Sequence, residues 1–203
     1  MRKLKTIEMK RLSLTQFKEA EKLPLIVVLD NVRSLYNVGS VFRTCDAFRV
    51  EAVWLCGITA CPPNAEIHKT ALGGEDAVAW RYFEKTEDAV RELQNRGYFV
   101  YSIEQVAGST KLQHLTQFES CTPQPSSDDS TCLSGDSLSY DLIPPHAIIF
   151  GNEVKGVQQH IVDMSDGCLE IPQFGTKHSM NVSVTAGIVI WEFAKQRILS
   201  AGE

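Results

Sequence analysis

The chain has 203 residues, of which 43% are hydrophobic, enough to build one domain around a sizeable core. Its net charge of −5 excludes a broadly basic nucleic-acid-binding domain, yet residues 1–22 carry seven Lys/Arg against three Glu, so a basic arm precedes an acidic body. No apolar run approaches the roughly 20 residues that cross a bilayer, Met1–Lys22 lacks the apolar core of a secretion signal, and the cysteines include no C-x-x-C, so a cytoplasmic protein with reduced thiols and no metal site is expected.

A helix is predicted over 12–22, where Ser13 and Gln16 have capping-box spacing, and Pro24 ends it. Lys10 and Arg11, just before this helix, are the arm's candidate contacts to a phosphate backbone. The apolar run Leu25–Leu29 reads as a buried strand; with a helix over Asn37–Phe48 and a second apolar run at Val50–Cys56 it forms a strand–loop–helix–strand unit. Gly57–Asn64 is a loop, 65–72 a short helix and 77–83 a strand. Thr86–Arg96 is expected to be a helix capped by Thr86, with acid in its first turn and Gly97 as its stop, followed by a buried strand at Tyr98–Ile103. Residues 119–145 are dense in Ser, Asp and Pro and cannot bury enough surface to offset chain entropy, so a flexible insertion is predicted there.

The C-terminal quarter organises the rest. Ala147–Phe150 and Cys168–Ile171 are short apolar runs that end at once in glycine, proline and small polar residues, as buried parallel strands do when they deliver loops to one edge. The loop Gly151–Gly156 removes side-chain bulk at two places where backbone could approach a ligand, and Pro172–Ser179 is too long for a mere turn. An apolar helix then runs from Asn181 to about Leu199. Gly151-x-x-x-x-Gly156 mimics a P-loop, but Val157-Gln158 stand where Lys and Ser/Thr are required, and no G-x-G-x-x-G occurs, so phosphate-cradle and dinucleotide readings fail.

Each remaining candidate has a structural rival. Arg43 sits on a helix of otherwise mainly small and apolar residues and faces either a partner or a salt bridge. Asn37 and Asn181 stand where helix caps stand, and Glu153 could cap the helix after it. His68, His146, His160 and His178 read as surface or loop histidines. The apolar face Val182, Ala186, Val189 and Phe193 of the last helix either pairs with a second copy or packs within one subunit.

Asn37-Val-Gly39 with Arg43, then Gly151-Asn-Glu153-x-x-Gly156, then Ile171-Pro-x-x-Gly175 and Ser179-Met180-Asn181-Val-Ser-Val, resemble in order and separation the three motifs of the SpoU/TrmH branch of the SPOUT superfamily. The resemblance spans residues 25–193. It implies a parallel-sheet α/β fold with a deep C-terminal trefoil knot, S-adenosylmethionine as cofactor, methyl transfer to a ribose 2′-hydroxyl of RNA and a symmetric homodimer. It also implies a division into a basic helical extension (1–23) and a methyltransferase domain (24–203). Carried over residue by residue, it makes Arg43, Asn37, Glu153, Ser179 and Asn181 the catalytic set and Gly151, Gly156, Ile171 and Met180 the cofactor set; Arg33, in the first-motif loop, joins Arg11 and Lys10 of the basic arm as a candidate contact to RNA phosphate. Met180 replaces the usual Leu, a volume-conserving change. Transfer RNA is the favoured substrate because only about two dozen residues precede the first strand, whereas ribosomal-RNA members often carry a separate N-terminal RNA-binding domain. A ribosomal-RNA enzyme, a non-catalytic RNA-binding relative and a small-molecule α/β enzyme stay as alternatives.

Overall fold

A computed structural model describes residues 1–9, 11–115 and 145–200. The 119–145 insertion, apart from Pro145, and Lys10 lie outside the described residues. Seven parallel strands form one sheet: β1 (Leu23–Asp30), β2 (Val50–Cys56), β3 (Ala79–Phe83), β4 (Phe99–Ile103), β5 (Thr110–Lys111), β6 (His146–Phe150) and β7 (Gly167–Glu170), in spatial order β3-β2-β1-β6-β4-β7-β5. The expected parallel α/β architecture is therefore present.

Helices cover both faces, and the alternation of β1 divides its side chains between them. Leu25, Val27 and Leu29 join Ile148 and Phe150 in a core closed by α2 (Leu35–Ala47) and α7 (Val182–Ser200). Ile26 and Val28 join Trp54, Val100 and Ile149 in a second core under α5 (Thr86–Asn95) and α6 (Gln159–Met164). Burial on both faces is why these strands are continuous apolar runs rather than alternating ones. The register Leu25↔His146 to Leu29↔Phe150 sets β1 beside β6, so their carboxyl ends finish level. From β1 the sheet grows outward through β2 and β3, whereas β4 and then β7 lie beyond β6 on the opposite side, so the order reverses between β1 and β6. Loops diverge at such a point and leave a crevice.

Several local expectations change. The first helix is shorter, α1 (Leu14–Glu19), but its capping box forms: Gln16 N–H reaches Ser13 Oγ at 3.3 Å and Ser13 N–H reaches Gln16 Oε1 at 2.9 Å. Pro24 lies inside β1 rather than between helix and strand. Thr86 does not cap α5, whose N-cap is Lys85; its hydroxyl donates instead to the buried Asp30 carboxylate at 2.6 Å. A carboxylate at the end of a fully buried strand draws the nearest hydroxyl more strongly than a helix end exposed to water does. His146 is also not a surface histidine. It is 4% exposed at the start of β6 and stacks on Tyr101 at 5.9 Å with 9° between the rings, because the first position of a central strand lies between neighbours on both sides.

Candidate active site

A cavity of about 450 Å³ opens at the carboxyl edge of the sheet, lined by the loops that follow β4, β6 and β7 and by the start of α7. Gly151, Glu153, Gly156, Ile171, Ser179 and Met180 all line it. Asn37, Asn181 and Arg43 do not.

The loop after β6 closes on itself. Asn152 and Gly156 exchange backbone hydrogen bonds of 3.1 and 2.8 Å, and the Asn152 side-chain oxygen accepts from Val154 and Lys155 N–H. A Cβ on Gly151 would lie 2.1 Å from the Gly156 carbonyl carbon, so the bare backbone at 151 serves the loop's own closure. Gly156 has φ +67°, and a Cβ there would meet the Glu104 carboxylate at 2.0 Å. The pair of glycines, read in the sequence as making room for a ligand, makes room first for this fold-back and for Glu104.

That loop is tied to the segment after β1. Asn152 Nδ2 donates to the Asn31 carbonyl at 2.8 Å. Glu153 accepts from Arg33 N–H at 3.0 Å, Ser34 N–H at 2.9 Å and Asn37 Nδ2 at 3.1 Å. Its carboxylate therefore sits at the amino end of α2, not of the helix following it, where unpaired N–H groups and the helix dipole favour negative charge. Burial pushes the Glu153 carboxyl up, but the Arg33 and Ser34 N–H groups with Asn37 outweigh it and hold it below the ordinary value.

Asn37 lies in the first turn of α2, which Ser34 caps, rather than preceding the helix. Its side-chain oxygen accepts from Asn181 Nδ2 at 3.1 Å, while the Asn181 oxygen accepts from Ser183 N–H at 2.9 Å. Asn181 is thus both a cap of α7 and the last link of a chain running Asn181 to Asn37 to Glu153. This chain joins all three motif segments beside the cavity. Arg43 stands six residues after Asn37, which puts it about 120° around α2 and about 9 Å along the axis. It is exposed, and among the described residues it has no hydrogen-bond or ion-pair partner. Arg33 is likewise exposed; burial pushes the Asp46 carboxyl on α2 up, and nearby Arg11 offsets part of that.

Two cavity residues carry no motif signal. Glu104, which directly follows β4, accepts from Val157 N–H at 3.0 Å and Gln105 N–H at 2.9 Å. Gln105 donates to the His178 carbonyl at 2.8 Å and so holds the loop after β7. The available clue was position, since both stand at the carboxyl end of a buried parallel strand.

The lining is mildly acidic, with Glu104 and Glu153 against Lys155, while Glu170 is paired with Lys111. Such a field suits a cationic ligand more than a polyphosphate.

Residues 24–191 match the model of the SpoU rRNA Methylase family. The chain is 29% identical over 185 residues to a tRNA (guanosine(18)-2′-O)-methyltransferase of Aquifex aeolicus, covering 88% of this chain and 72% of that protein. It is 30% identical over 176 residues to a 23S rRNA (guanosine-2′-O-)-methyltransferase of Neisseria meningitidis, covering 87% and 60%. Among solved structures, an AdoMet-bound rRNA methyltransferase from Sinorhizobium meliloti superposes with a TM-score of 0.67 at 23% identity, over 86% of this chain and 60% of that one. The chain thus spans less than two thirds of the Neisseria and Sinorhizobium proteins. With the motif segments gathered at one cavity and the family's model matched along most of its length, this chain belongs to the SpoU rRNA Methylase family.

Proposed function

We propose that this chain is an S-adenosylmethionine-dependent RNA methyltransferase that modifies a ribose 2′-hydroxyl, with transfer RNA as its preferred substrate. The observation that carries this reading is the Asn181–Asn37–Glu153 chain, which fixes the three motif segments around one acidic cavity. The names of the Aquifex and Neisseria relatives supply the reaction, and the Aquifex protein, of which the chain covers the larger share, supplies the preference for transfer RNA. Ribosomal RNA is the second reading, favoured by the Neisseria relative.

The residues present fit the cofactor. Ile171 and Met180 give apolar walls, the folded-back backbone at Gly151–Gly156 offers carbonyls, and Glu104 supplies a negative charge that would favour a sulfonium and an ammonium. When bound, S-adenosylmethionine supplies a methyl group activated by its sulfonium. The chain's own task is to hold the ribose oxygen in line with that methyl and to let the hydroxyl proton leave. Ser179, at the cavity wall, can accept or donate a hydrogen bond to the ribose. Glu153, its oxygens already taken by donors, acts by setting Asn37 and the start of α2. Arg43 grips the phosphate beside the target nucleotide through its planar fork, and a phosphate oxygen or water takes the proton. Arg33, Arg11 and Lys10 extend the phosphate track.

The finer assembly is part of the same proposal: a trefoil knot formed by the loops at 151–158 and 171–181, a basic extension ahead of the catalytic domain, a cytoplasmic setting and a homodimer. The dimer surface expected from the sequence is corrected, because Val182, Ala186, Val189 and Phe193 are at most 8% exposed within one subunit. They face the sheet and α2. On the opposite side of α7, Val184, Ile188 and Trp191 are 54%, 38% and 46% exposed at helical spacing, and this stripe is the better dimer face.

Calorimetric titration with S-adenosylhomocysteine tests the cofactor site. Binding unchanged in Gly151→Trp places the cofactor elsewhere, and because a side chain at 151 also breaks the loop's closure, binding lost supports the site only where the variant keeps the wild-type circular-dichroism spectrum. Ribose-methylation mapping of total RNA from a deletion strain then identifies the substrate; a missing 2′-O-methyl in transfer RNA supports the preference, and one in ribosomal RNA alone overturns it.

A further inference from the structure

A recess adjoins the cavity and shares Gln105, Glu170, Ile171 and Gln173 with it; Lys111, Gln113, Pro172 and Phe174 complete its lining. Phe174 is 97% exposed. A ring left wholly in water contributes nothing to folding, so the core does not explain it. Lys111 is paired with Glu170, which leaves little free charge in the recess. Among the described residues the side-chain amides of Gln113 and Gln173 make no hydrogen bond. Gln105 is engaged with the His178 carbonyl and anchors the loop that carries Phe174.

An open aromatic face beside unengaged amides suits a flat, uncharged ring with both donors and acceptors on its edge. An amide offers a donor and an acceptor side by side, as base edges require, and unpaired bases are commonly held by stacking on exposed aromatic rings. A base stacked inside a duplex cannot present its face in this way.

We propose that this recess holds an unpaired nucleobase of the RNA substrate, stacked on Phe174 and read at its edge by Gln113 and Gln173, while the ribose turns toward the cavity. The proposal rests on the RNA methyltransferase reading and adds that the target lies in a loop or single-stranded segment. Phe174 is a positioning residue; it touches the base and not the reacting atoms.

The test compares wild type, Phe174→Ala and Phe174→Tyr in methyl transfer from S-adenosylmethionine to unfractionated tRNA and, separately, ribosomal RNA, with S-adenosylhomocysteine affinity measured by calorimetry. Because the side chain is solvated, neither variant threatens the fold. The expected result is a loss of about tenfold or more in kcat/KM for Phe174→Ala, carried by KM, with recovery to within about threefold in Phe174→Tyr and cofactor affinity unchanged. Equal kcat/KM in wild type and Phe174→Ala overturns the proposal. So does a matching fall in S-adenosylhomocysteine affinity, which would give the recess to the cofactor's adenine, and so does a Tyr variant no better than Ala. A wild type that methylates neither RNA overturns the enzymatic reading and the recess with it, whereas an active wild type with an indifferent Ala variant overturns the recess alone.

Discussion

At the scale of single residues, Glu153 shows how a motif residue acquires its place. The sequence allowed it a catalytic part or a cap on the following helix, and the structure puts it at the start of α2, 119 residues earlier in the chain, where it takes the N–H of Ser34. Glu153→Ala leaves the N–H groups of Arg33 and Ser34 unpaired and should lower stability by about 2 kcal/mol, read from the urea midpoint. Its carboxyl is held low, so the stability it adds is present above the ordinary carboxylate range and is lost as pH falls through the folded value. His146 works in a separate window. Burial lowers its imidazole to about 4, whereas the unfolded chain takes up a proton near 6.5. Between those values only the unfolded state is protonated, so stability should fall on acidification from 6.5 to about 4, by on the order of 3 kcal/mol, and the term should level off below. His146→Phe, packed in the same aromatic group, should flatten that slope; a wild-type slope retained in the variant would assign the dependence to another group.

At the scale of elements, what could be read from the sequence followed from local chemistry. The buried strand Val50–Cys56 and the Ala147–Phe150 part of β6 were legible as apolar runs with abrupt polar ends, and Ser13 with Gln16 as a capping box. The sequence could not show which long-range partner would claim a polar group. Thr86 belongs to Asp30, 56 positions away, and Asn37 links Glu153 and Asn181, which stand 116 and 144 residues further along the chain. Helix α7 was misread for a related reason. It is apolar nearly all round, so composition could not say which side meets the sheet, and the side chosen as a dimer face is the buried one. The exposed stripe now predicts the effect of a charge: Ile188→Glu should shift sedimentation from a dimer toward the 22.6 kDa chain at micromolar concentration while keeping the helical circular-dichroism signal. An unchanged dimer would rule out this face, and a wild type already at 22.6 kDa would rule out the homodimer.

At the scale of the whole molecule, the sheet order brings sequence-distant loops together at its carboxyl edge, and the motif segments meet there because β1, β6, β4 and β7 are consecutive in space. Arg43 is exposed and, among the described residues, has no hydrogen-bond or ion-pair partner; it stands on the solvent side of α2, away from the cavity lining. Together these features support methyl transfer to a ribose oxygen of RNA. Its most direct test is nucleoside mass spectrometry of unfractionated tRNA incubated with the protein and S-adenosylmethionine, run beside the Arg43→Ala variant. A 2′-O-methylated nucleoside is expected with wild type, and in the variant a single-turnover rate lower by about a hundredfold or more, equivalent to about 2.7 kcal/mol, with S-adenosylhomocysteine still bound. Methyl found on a base, no methyl transfer to any RNA, or an Arg43→Ala rate equal to wild type would contradict it.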